Sequence, residues 1–84
     1  MTLINELGMH ARAAAQFVKK AGEFKSDVIV SKNDIEVNGK SILGLLMLAM
    51  PKGERFDIRA LGADADEAIN ALSSLVSARF GEQN

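Results

Sequence analysis

The chain has 84 residues, of which 48% are hydrophobic and 25% charged, with a formal net charge of −1, one His and no Cys, Trp or Tyr. So apolar and so nearly neutral a chain is not a disordered one, and its length sets a single domain, residues 1–84, with a thin core and a radius of gyration of about 12 Å. Zero Cys removes a disulfide framework, thiolate chemistry and Cys-bound zinc or iron–sulfur sites, and a single His removes the commoner transition-metal sites, so neither a metal nor a cofactor is expected.

The charge balance also speaks against nucleic acid as the main partner. Charge-free runs such as Ser41–Pro51 reach only about half of the ~20 residues that span a bilayer, so membrane insertion is not expected. No basic opening segment marks a secretory signal, and a cytoplasmic protein is expected.

Residues 2–5 predict a short strand, which Gly8 breaks off. Ala11–Ala21 predicts a helix, because Ala14, Phe17, Val18 and Ala21 recur at helical spacing; Lys19 and Lys20 suit its last turn, and Gly22 its stop. The β-branched run Asp27–Ser31, the turn residues Lys32-Asn33-Asp34 and the alternating Ile35-Glu36-Val37 predict a hairpin ended by Asn38-Gly39. Ser41–Met50 predicts a short apolar helix, weakened by Gly44 and closed by Pro51-Lys52-Gly53.

Glu54–Leu61 alternates strictly and predicts a strand with one solvated face, where Arg55, Asp57 and Arg59 point to water. Asp64, three residues before Glu67, predicts a capping-box-like start to a last helix, with Asp66 and Glu67 balancing its dipole. Its core stripe is Ala65, Ala68, Ile69, Leu72, Leu75, Val76 and Phe80, and Gly81 stops it. The order β-α-β-β-α-β-α implies a two-layer α+β domain with the helices on one face of the sheet.

One place joins a titratable nucleophile to an anion-binding frame: Gly8-Met9-His10-Ala11-Arg12, at the start of the first helix. The backbone N–H groups of Ala11, Arg12 and Ala13 have no intrahelical partners, and the helix dipole is positive there. A phosphate on or near His10 meets donors already in place, and Arg12 adds a guanidinium fork. Gly8 lets the chain turn so that the ring faces outward. A lone His beside a helix start is more often a solvated or capping residue, and the residue pattern by itself leaves both readings open.

The Ser41 segment carries apolar residues on both sides of its helix. Ile42, Leu43, Leu46 and Met50 share one side with Met47 at its margin, while Leu45 and Leu48 lie opposite. Either all of it is core, or one side is an exposed Leu/Met patch suited to several partners. Ser41 reads first as an N-cap, a place that also suits a phosphate.

LGMHARAAAQFV, VNGKSILGLLMLAMPKGERFDI, LGADADEAINAL and the following FGE resemble, in order and over essentially the whole chain, the HPr phosphocarrier family of the phosphoenolpyruvate-dependent sugar phosphotransferase system. The resemblance implies an open-faced β-sandwich, a four-stranded antiparallel sheet with three helices on one face. It implies that His10 accepts a phosphoryl group from enzyme I on Nδ1 and passes it to the A domain of a sugar-specific enzyme II. Arg12 matches the site arginine that contacts the phosphate. Ser41 matches a regulatory serine that a dedicated kinase and phosphorylase act on in some lineages. Ile42, Leu43 and Leu46, with Met47, match the exposed residues that dock the partners, which sends Leu45 and Leu48 to the core.

The family usually has Pro where Ala13 stands, and Ala keeps the helix while losing some preorganisation. The first strand is short, and either a weak edge or a truncated start is expected. A monomer is expected. Two other readings stand beside the sugar carrier: a regulatory, nitrogen-related paralogue, and a binding module with no phosphoryl chemistry. An RNA-binding α/β domain is opposed by the charge and by Phe as the only aromatic.

Overall fold

The computed structural model describes residues 1–82. The order is α1 (Ala11–Ala21), β1 (Asp27–Lys32), β2 (Ile35–Asn38), α2 (Ile42–Met47), β3 (Asp57–Leu61) and α3 (Ala65–Ser77), followed by a 3-10 turn at Arg79–Gly81. The three strands are antiparallel in the order β2-β1-β3.

Alternation decides the layers. Val28 and Val30 of β1 are buried, and the register sets Val30 beside Val37 on one side and Ile58 on the other. Asp57, Arg59 and Leu61 of β3 are exposed, and Arg59 makes a surface ion pair with Glu36 at 3.3 Å. The apolar face joins Phe17 of α1, Leu45 of α2 and Leu72 of α3 in one core. This is the expected α+β open-faced sandwich, with a radius of gyration of 11.4 Å.

The fourth strand is reduced to a single bridge between Thr2 and Arg55. Leu3 N–H still donates to Glu54 O at 3.0 Å, and Phe56 N–H to Met1 O at 2.8 Å. The chain then leaves the edge, because Asn5, which a longer strand would need, is fully buried and engaged elsewhere. Regular pairing on β3 accordingly begins at Asp57 rather than Glu54.

α1 spans the residues expected, with Ala13, Ala14, Phe17 and Ala21 buried and Lys19 and Lys20 in its last turn. α2 is shorter than expected. It stops at Met47, Ala49 turns left-handed (φ 50), and Met50 leaves the helical wheel to be buried at 4% exposure. Lys32 Nζ donates to the carbonyls of Leu48 (3.1 Å) and Ala49 (3.0 Å), satisfying groups the ended helix leaves open. Gly44 lets α2 lie close on β2, since a Cβ there would stand 3.2 Å from Val37 Cβ.

α3 buries Ala68, Leu72 and Val76 but ends at Ser77. Phe80 reaches the core from the left-handed turn that follows, not from the helix. Asp64 holds the N-cap position yet makes no capping hydrogen bond. Its carboxylate accepts instead from the N–H groups of Lys25 (2.8 Å) and Ser26 (2.9 Å) and from the Ser26 hydroxyl. The local capping pattern was outbid by three donors on the loop before β1. No helix among the described residues is long and apolar enough to cross a membrane.

Candidate functional site

His10 is the N-cap of α1, with an extended backbone (φ −84, ψ 178). N-caps are usually Ser, Thr, Asp or Asn. Here the imidazole does the work: Nδ1 accepts from the N–H of Arg12 at 3.2 Å. Only an unprotonated ring nitrogen can accept, so Nδ1 presents its lone pair to the helix N-terminus. The first N–H to close on a helical carbonyl is that of Ala14, on His10 O at 2.8 Å. The N–H groups of Ala11, Arg12 and Ala13 therefore lie ahead of the helical ladder, as the sequence suggested. The Arg12 side chain is exposed, and that of Ala13 is fully buried.

Gly8 sets the approach to His10. Its φ is +64, and a Cβ there would stand 2.5 Å from the carbonyl oxygen of Met50. The loop lies flat on the segment after α2, with Met9 N–H donating to Met50 O at 2.8 Å and Lys52 pairing with Glu6 at 3.0 Å.

Two residues that the motif reading passed over complete the surroundings. His10 Nε2 is bonded to a carboxylate oxygen of Glu82. Asn5 Nδ2 donates to Gly8 O at 2.8 Å and to the other Glu82 oxygen at 2.9 Å. The Asn5 donation, then the His10 ring and the Arg12 charge, hold Glu82 below the usual carboxylate range against the opposing cost of burial. Glu82 is 72 positions from His10, so no local spacing could reveal it; its one trace was FGE at the end of the family pattern.

The arrangement is a nucleophilic nitrogen at the positive end of a helix, with backbone donors and a guanidinium within the same turn. That suits transfer of a tetrahedral oxyanion more than metal binding, and no group of His, Asp and Glu among the described residues could hold a metal ion.

The residues singled out on α2 divide as the resemblance implied. Ile42, Leu43, Leu46 and Met47 are exposed (42%, 65%, 38% and 79%), while Leu45 and Leu48 are buried. Leu7, in the loop before His10, is a further exposed apolar residue at 69%, which sequence reasoning missed. Ser41 caps α2, its Oγ accepting from Gly44 N–H at 3.0 Å.

Comparison with known proteins extends the local picture over the chain. The family described as PTS HPr component phosphorylation site matches residues 1–78. "Phosphocarrier protein HPr" of Neisseria meningitidis serogroup A is 52% identical over 80 residues, covering 95% of this chain and 90% of the relative. "Phosphocarrier protein NPr" of Shewanella violacea is 38% identical over 82 residues, covering 98% and 90%. HPr-C-His of Thermoanaerobacter tengcongensis has a crystal structure that superposes with a TM-score of 0.96 at 40% identity, covering 100% of this chain and 94% of that one. An imidazole capping the first helix and a family pattern that runs through nearly every element agree, and the chain belongs to the HPr phosphocarrier family of the phosphotransferase system.

Proposed function

We propose that this chain is a one-domain cytoplasmic carrier in which His10 Nδ1 takes a phosphoryl group from enzyme I and yields it to the A domain of a sugar-specific enzyme II. The observation that carries this reading is the Nδ1 lone pair held against the Arg12 N–H at the start of α1. On transfer, that N–H passes from Nδ1 to a phosphoryl oxygen, and the Arg12 guanidinium closes on the others. The carrier supplies a nucleophile and a cradle, and its partners supply the rest of the chemistry. It needs no cofactor of its own.

Ile42, Leu43, Leu46 and Met47 form the docking patch, and Leu and Met side chains can repack against partners of different shape. Ser41 is half-buried at the edge of that patch, a place where a kinase and a phosphorylase could switch docking. The sugar branch is favoured by identity, 52% to the HPr relative against 38% to the NPr relative. The monomer is proposed as the working unit. The solved relatives include an "HPr dimer" of T. tengcongensis, so the monomer is part of the proposal.

Incubation with enzyme I, Mg²⁺ and phosphoenolpyruvate, read by intact mass, tests the reading. Wild type gains one acid-labile phosphoryl group and His10→Ala gains none. A wild-type protein that stays unmodified refutes it, and a pure binding module would behave in that way.

A further inference from the structure

We propose that Glu82 is a positioning residue for His10, and that Asn5 positions Glu82 in turn. The assignment rests on the carrier reading of His10. A neutral imidazole has one N–H and one bare nitrogen. Nδ1 accepts from Arg12, so the proton sits on Nε2, and Nε2 faces the Glu82 carboxylate. The carboxylate holds one tautomer and one ring orientation, with the lone pair at the helix N-terminus. When the Nδ1–P bond forms, the bond from phosphorus to the donor breaks and its electron pair stays with the donor. The ring keeps its Nε2 proton and becomes cationic, and Glu82 offsets that charge.

The fold delivers this carboxylate by an uncommon route. Arg79 and Phe80 both take left-handed backbone (φ 56 and 55), a conformation that L-residues avoid and that gathers at functional sites. Phe80, 2% exposed, anchors the turn in the core, and Glu82 follows it onto His10. Asn5 is fully buried and directs its amide hydrogens to Gly8 O and one Glu82 oxygen, leaving the other for Nε2. Turning that amide round would set its oxygen against two acceptors, which agrees with Asn5 Oδ1 having no partner among the described residues.

Glu82→Gln separates guidance from mere contact. Asn5 Nδ2 needs an acceptor, so the Gln oxygen stays towards Asn5 and the Gln N–H faces His10 Nε2. A donor there moves the imidazole proton to Nδ1 and removes the nucleophilic lone pair. Glu82→Ala removes the guide without imposing the wrong tautomer. In an Asp–His pair of a hydrolase triad, the matching amide substitution preserves geometry and loses most activity for this reason.

Nitrogen-resolved NMR of the unphosphorylated ring should show Nε2–H in wild type and Nδ1–H in E82Q. Transfer from phosphorylated enzyme I should fall about a hundredfold in E82Q and only about tenfold in E82A. A contact that is only structural gives the opposite order, with the truncation worse. An E82Q protein that keeps Nε2–H and transfers at the wild-type rate overturns the proposal. Wild type that takes no phosphoryl group overturns the carrier reading instead, and the two are told apart because the tautomer experiment needs no donor.

Discussion

Asp64 joins stretches of chain 38 positions apart through one carboxylate. The Ser26 hydroxyl, first, and the Lys25 N–H pull its pKa down to about 2. In the unfolded chain an Asp titrates near ~3.9, so the folded value is the lower one. The stabilisation is then complete above the unfolded value and is lost as pH falls from there through about 2. Asp64→Asn, followed by urea unfolding between pH 6 and pH 2, should show a deficit against wild type that shrinks steadily below pH 4. A deficit of constant size would mean that shape rather than charge holds the loop. The same residue shows a limit of reading by spacing. Asp three before Glu is a good sign of a helix start, and α3 does start there, but which donors the carboxylate takes is decided by a loop far away in sequence. Glu82 escaped notice for the same cause.

Elements were more legible than partners. α1 could be read to its ends because its apolar stripe, its Lys pair and Gly22 all agree. α2 could not be oriented from its residues, since a helix apolar on both sides fits two placements; family resemblance chose the side, and the 0% exposure of Leu45 bears it out. The first strand fell short because Asn5 serves the surroundings of His10 instead of the sheet edge. Ser41 offers a test at this scale. Ser41→Ala loses the bond to Gly44 N–H and should lower stability by about 1 kcal/mol in chemical denaturation. Ser41→Asp keeps a capping oxygen and so keeps most of that stability, while setting a charge beside Ile42 and Leu43. It should raise the KM for enzyme I by about tenfold with a smaller effect on kcat. Equal kinetics for the two variants would detach the cap from docking.

For the molecule as a whole, thinness sets the margins. A chain of this size has a stability of about 4–12 kcal/mol. Phe17 lies at 0% exposure where α1 meets the core, and Phe17→Ala should remove about 3–5 kcal/mol. The variant should melt far below wild type or be partly unfolded at 25 °C, and a loss under about 1 kcal/mol would show that the core repacks.

The contact between His10 and Glu82 has a consequence for biogenesis. During synthesis the histidine leaves the ribosome first, and its carboxylate follows 72 residues later. At ~5–20 residues per second, that delay is roughly 4–14 s. Throughout it the nascent chain carries an imidazole with no partner on Nε2, even once α1 has formed. A chain cut short between residues 12 and 82 would keep the whole HAR motif and lack the carboxylate that meets Nε2. The histidine and the carboxylate it contacts thus meet only after every helix and strand between them has been made.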